Sequence, residues 1–158
     1  MDKKIMIPLE LKYDFAIRAY ISIHKGYLYA IREECGAATA LKVYERLCKM
    51  EDRINNLTAT FLAAFKIEGN DAEAWAKWWD IWYELCGYEY TWLERSKTIA
   101  RVKVTKSPFK TSYKDLSDWV LPFVDIVCKT INPKAKWERP KAMCAGNPYG
   151  EYVFKTEE

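Results

Sequence analysis

Apolar side chains return every three or four residues from Tyr13 onward: Tyr13, Ile17, Tyr20, Ile21, His24, Leu28, Ile31 and Cys35. That spacing marks one face of an α-helix. Pro8 suits its opening turn and Gly36 a left-handed end, so a first helix is predicted from near Pro8 to Cys35. A second stripe reads Leu41, Tyr44, Leu47/Cys48, Glu51, Ile54, Thr58, Phe61/Leu62 and Phe65. It predicts one long helix over Ala37 to Ile67, ended by Gly69-Asn70. Asn70 or Asp71 then caps a third helix that runs to Cys86, with Glu73 in its acidic first turn. Trp75, Trp78, Trp79, Trp82 and Tyr83 share a broad face of that helix. Such a face is either core packing or the wall of an aromatic-lined pocket.

After Gly87 the period changes to two. Tyr88 to Glu94 alternates, and Arg95-Ser-Lys97 turns the chain into a second alternating segment ending at Lys106. Ala100, Val102 and Val104 lie on one side of it, with Ile99, Arg101 and Lys103 on the other. A connection this short requires an antiparallel pair. Thr111 or Ser112 is placed to cap a fourth helix carrying Leu116, Trp119, Val120, Phe123, Val124 and Val127, with Pro122 expected to kink it. Asn132-Pro133 breaks that run. Strands over 135–143 and 150–155 follow, joined as a hairpin through Gly146 to Gly150. The fold class is α+β: three N-terminal helices, then an antiparallel four-stranded sheet interrupted by one helix, α-α-α-β-β-α-β-β, in a single domain over 1–158.

Composition narrows the picture. Half of the 158 residues are hydrophobic and 15% aromatic, which argues for a packed core rather than disorder. No apolar run approaches a membrane span or a signal peptide, so a soluble, cytoplasmic protein is expected, without membrane association. Cys35, Cys48, Cys86, Cys128 and Cys144 are scattered and odd in number, as in a chain of reduced thiols. With one histidine, a closed zinc site would need several of these distant cysteines to converge. Between Arg95 and Lys141 there are twelve Lys/Arg against four Asp/Glu, within a chain of net charge +3. That excess is either a field for an anionic ligand such as a carboxylate or a solvated sheet face. No nucleic-acid module is visible. Walker, Gly-x-Gly-x-x-Gly, His-Glu-x-x-His and Gly-x-Ser-x-Gly motifs are all missing, so neither cofactor nor metal is expected.

Three polar residues interrupt apolar faces. His24 is the only histidine and lies on the first stripe near Tyr20 and Tyr27. It reads as a satisfied core residue or as a neutral imidazole acting as a general base. Glu51 breaks the second stripe. If buried, its carboxylate must be paired or protonated. A His24–Glu51 hydrogen bond across two antiparallel helices serves equally as a structural pair or as a base with its orienting carboxylate. Asp125 lies in the fourth helix three residues before Cys128, whose thiol pKa it would raise.

The order of motifs in the last sixty residues resembles the end of the L-2-amino-thiazoline-4-carboxylic acid hydrolase-like family. The resemblance rests on the alternating strand, Ser107-Pro108-Phe109, the helix with Asp125, Asn132-Pro133 and the hairpin Ala145-Gly-Asn-Pro-Tyr149. His24-Lys-Gly26 and Glu33-Glu-Cys-Gly36 also match. That family is loosely similar to vinyl-reductase-type small-molecule-binding domains. The resemblance implies an enzyme in which water attacks a cyclic amidine or imine carbon, a hydrolysis of a C–N bond. His24 would be the base, Glu51 its orienting partner and Asp125 the stabiliser of a cationic ring. Arg101 would hold a carboxylate, and Tyr20, Tyr27, Trp79, Ser107 and Asn147 would line the substrate pocket. Three departures stand out: Ser107 and Pro122 occupy positions where the family tends to carry Cys, and Gly146-Asn-Pro-Tyr-Gly150 replaces Gly-Asp-x-x-Cys. They favour the alternative, a non-catalytic small-molecule-binding or sensing protein of the same fold. A third reading is a purely structural module that forms a homodimer through exposed Trp residues.

Overall fold

Helix α1 spans Leu9–Cys35, close to the predicted limits, and only Ile21, His24 and Leu28 along it are buried. The computed structural model describes residues 8–156. Gly36 turns the chain into α2 with φ 84° and ψ 159°, a positive φ but an extended ψ rather than the left-handed helical value expected. Few side-chain-bearing residues tolerate that conformation.

The long second helix of the sequence reading is two helices. α2 covers Ala37–Asn55 and α3 covers Leu57–Ala64, divided at Asn56, which sits at φ 45° and ψ 43°. The apolar stripe continues across the break, so periodicity alone carries no sign of it. Asparagine tolerates the left-handed region better than other side chains do. Beyond the break the backbone N–H of Thr58 donates to Asp52 Oδ1 at 3.3 Å.

α4 runs Ala72–Cys86, capped by Asp71, whose Oδ1 accepts from the Ala74 N–H at 2.9 Å. Strands β1 (Glu89–Arg95) and β2 (Ile99–Lys106) pair antiparallel as expected. The fourth predicted helix starts later than its sequence suggests. Residues 114–116 make a short 3-10 turn, and α5 begins at Leu121 and ends at Ile131. Pro122 therefore opens a helix instead of kinking one. In the first turn its missing N–H breaks no bond. β3 (Lys136–Lys141) and β4 (Gly150–Lys155) complete the sheet in the order β1-β2-β4-β3, all antiparallel. Their connection is no tight hairpin, because a second 3-10 turn fills 143–145.

The fold is α+β, with α4 and α5 against one sheet face, α2 packed on α5, and α1 outermost on α2. Ala100, Val102 and Val104 point inward and are buried, as their alternation requires. Trp75 stacks on Phe154 of β4 at 5.1 Å, while Trp78 meets Phe61 and Phe123. A second core lies between α1, α2 and the segment before α5, built from Ile21, Leu28, Tyr44, Phe109, Leu116 and Trp119. Arg95 ties β1 to α4, donating to both Glu73 oxygens at 3.0 Å and to Asp80 at 2.6 Å.

Asn56→Ile should cost about 1–2 kcal/mol, the strain of a β-branched residue held left-handed. Asn56→Gly should change stability by only a few tenths of a kcal/mol. Urea titration of the two variants checks this.

Candidate functional site

The seam between α1 and α2 gathers the ionisable residues that break the apolar stripes. His24 is buried there. Its Nδ1 is 3.4 Å from Tyr44 Oη, and its Nε2 is 3.9 Å from Glu51 Oε1. The expected histidine–glutamate approach is present, but at ion-pair range. The hydrogen-bond partner is Tyr44. Tyr20 lies against the imidazole with ring centroids 4.1 Å apart. Burial lowers the His24 pKa, opposed by the nearby Glu51 carboxylate. Burial also pushes the Cys48 thiol up to about 12 and raises the Tyr20 and Tyr44 hydroxyls. The thiol and both phenols therefore stay protonated near neutrality, and the thiol is a poor nucleophile.

Tyr20, Tyr44, Cys48, Glu51 and Trp79 line one apolar cavity together with Phe123. Its free volume is about 40 Å³. That takes a few waters at most, and aromatic side chains fill the remaining space. The other residues named from sequence lie elsewhere. Asp125 is exposed at an open groove between α5 and α2, beside Lys42, Glu45 and Lys49, where its Oδ1 accepts from Trp137 Nε1 at 2.9 Å. Arg101 is on the open face of the sheet and donates through Nε to buried Glu151 at 2.6 Å. Ser107 Oγ accepts from the Phe109 N–H at 3.2 Å, a local turn bond. Asn147 donates to the Ala142 carbonyl at 3.1 Å in the β3–β4 connection. Tyr27 is 65% exposed on the outer side of α1. So His24 meets Tyr20 and Glu51, and Trp79 lines a cavity with those two, while Asp125, Arg101, Ser107, Asn147 and Tyr27 do not join them. Among the described residues no three His, Cys, Asp or Glu side chains are grouped to hold a metal.

The outer face of α1 is the feature that the sequence reading missed. Phe15 is 74% exposed and Ile23 55%, alongside Leu11 and Tyr27. Leu11, Phe15, Ala19, Ile23 and Tyr27 follow one another at intervals of four, a visible signal overshadowed by the better-defined inner stripe.

No protein-family model matches the chain, and neither does any curated protein. Among solved structures the fold is similar to the crystal structure of a trafficking protein particle complex subunit 3 from Naegleria fowleri covalently bound to palmitic acid. The TM-score is 0.66 at 12% identity, with 91% of this chain and 96% of that one covered. At that identity the likeness is one of fold. It overturns the resemblance to the thiazoline-carboxylate hydrolases, and with it the hydrolase activity, the small-molecule-binding alternative and the carboxylate ligand. The geometry gives the physical reason. The supposed ring-stabilising Asp125 and carboxylate-holding Arg101 do not line the cavity that Tyr20 and Glu51 share, His24 is not part of its wall, and the cavity has little free room.

Below about pH 6.5 the unfolded chain takes up a proton on His24 before the folded chain does. Stability should therefore fall as pH drops from that value toward the lower folded pKa. The contribution is constant above it. His24→Gln should flatten this part of the profile. Guanidinium titrations across the window, with an imidazole NMR midpoint below the ordinary value, check it.

Proposed function

We propose that this chain is a subunit of a multiprotein assembly in vesicle trafficking, acting as one α+β unit over 1–158 and docking partner proteins on the outer face of α1. The supporting observation is that face: a helix about 40 Å long whose outward side carries Leu11, Phe15, Ile23 and Tyr27 in the open. Large exposed apolar side chains grouped on one element mark interaction surfaces more often than scattered ones do. The fold likeness over nearly the whole of both chains supports the same reading, since that neighbour is a subunit of a trafficking particle. No helix among the described residues is long and apolar enough to cross a membrane, which is compatible with a role on the cytoplasmic side of one.

Tagged chain, recovered from its own cells under mild conditions and weighed by native mass spectrometry, should arrive in a complex of fixed stoichiometry. Ile23→Arg should release it from that complex. The substitution should leave the unfolding transition within about 0.5 kcal/mol, because the side chain is exposed. Recovery of the unmodified chain without any stoichiometric protein partner would sink the proposal.

A further inference from the structure

Glu151 points to the sheet face that carries no helix, yet it is buried. Its partners in the register are Lys103 of β2 on one side and Lys141 of β3 on the other. Arg101 of β2 donates through Nε to Glu151 Oε1 at 2.6 Å, and a second guanidinium nitrogen pairs with the same oxygen. Lys141 Nζ is 3.6 Å from Glu151 Oε2. A covered carboxylate needs such partners, and Arg101 and Lys141 supply them while staying half exposed themselves.

Lys103 is the odd member. It stands opposite Glu151, but its ammonium lies over the Tyr149 ring, 4.7 Å from the centroid. The Lys141 ammonium lies over the same ring at 4.4 Å and donates to the Tyr149 hydroxyl. Among the described residues no carboxylate forms an ion pair with Lys103. Three cations therefore surround one carboxylate, and the cluster carries an excess of two positive charges. Lys155 on the same face is different, since it pairs with Glu138 at 2.9 Å.

We infer that this sheet face is a docking surface distinct from α1, and that it takes an acidic, extended segment of a partner protein. Side chains two apart on a strand lie about 7 Å apart on one face. Arg101 and Lys103 offer two cations at that spacing, and an extended segment with acidic residues at alternate positions offers two carboxylates to match. Glu151 already fixes Arg101 and Lys141, so little side-chain freedom is lost on binding. Lys103 gains the carboxylate that its own chain does not supply. Other polyanions fit less well. Nucleic-acid bases stack on bare aromatic faces, and here two ammonium groups lie over Tyr149. Anionic membranes are gripped by clusters of about four to eight cations, whereas this cluster has three with a carboxylate among them. Leu93, the one large apolar residue of the strands that is exposed, lies on β1, separated from β4 by β2.

The test titrates the purified full-length chain into a fluorescein-labelled peptide of alternating glutamate and serine, read by fluorescence anisotropy at low salt. A Kd below about 0.1 mM is expected. Lys103→Glu should weaken it about tenfold and Lys155→Glu by less than about threefold. Near-ultraviolet circular dichroism should be unchanged in both. If Lys103→Glu does not fold, Lys103→Gln carries the test, with an expected loss of about threefold. A peptide with the same glutamates in one block should bind less tightly than the alternating one. Absence of binding up to about 1 mM overturns the inference, as does equal weakening by the Lys103 and Lys155 reversals. So does tighter binding of equimolar phosphatidylcholine–phosphatidylserine vesicles or of a single-stranded oligonucleotide than of the peptide. The inference stands apart from the assembly reading, because the titration needs no native complex. Ile23→Arg, on the outermost helix, should leave the peptide affinity within about twofold. Failure of the titration with the native complex intact sinks only this surface, and peptide binding without a native complex sinks only the assembly.

Discussion

The aromatic face of α4 is the constraint that places every other element. Trp75, Trp78, Trp79 and Tyr83 are all buried on a helix of fifteen residues. Rings of this size must be covered on several sides, and no single neighbour is broad enough to do it. Phe154 of β4 stacks on Trp75, Tyr90 of β1 meets Tyr83, and Phe123 of α5 meets Trp78 and Trp82. Phe61 of α3 covers Trp78. The break at Asn56 separates α3 from α2, so the two helices need not share one axis. The sheet, α5 and α3 are thus held around one helix. α2 then rests on α5, leaving α1 as the outermost layer.

That layering decides where the polar residues of α1 and α2 are placed. His24 and Glu51 meet because their helices pack side by side. Tyr44 takes the imidazole hydrogen bond, and the aromatic side chains close the space beside it. Asp125 opens onto a separate groove between α2 and α5, and Arg101 onto the sheet face that carries no helix. A buried imidazole held neutral by its surroundings, with a tyrosine as partner, satisfies a core polar group. The order of elements that resembled a hydrolase follows from the fold class, and one fold supports many functions.

Much of the architecture was legible in the chain. The change of period from three or four to two after Gly87 located the helices and the first strand pair. The cap at Asp71 and the inward set Ala100, Val102 and Val104 were equally plain. The Asn56 break was not, because an apolar stripe continues across it and asparagine also occurs inside helices. Nothing local to Pro122 shows that its helix begins only one residue earlier, so the pattern alone implies a kink. The His24–Glu51 neighbourhood was visible as two interruptions of apolar faces, but the cavity's lack of room was not.

The sequence by itself determined where helices and strands lie and which side of each is apolar, because periodicity is a property of neighbouring residues along the chain. Only the tertiary structure decided which apolar side is covered. α1 carries two such sides, and α2 covers one of them. The aromatic face of α4 is closed by four other elements, and the imidazole of His24 turns to Tyr44. Each of these depends on residues far apart in the chain, whose approach is fixed by packing volume and by the need to satisfy buried polar groups.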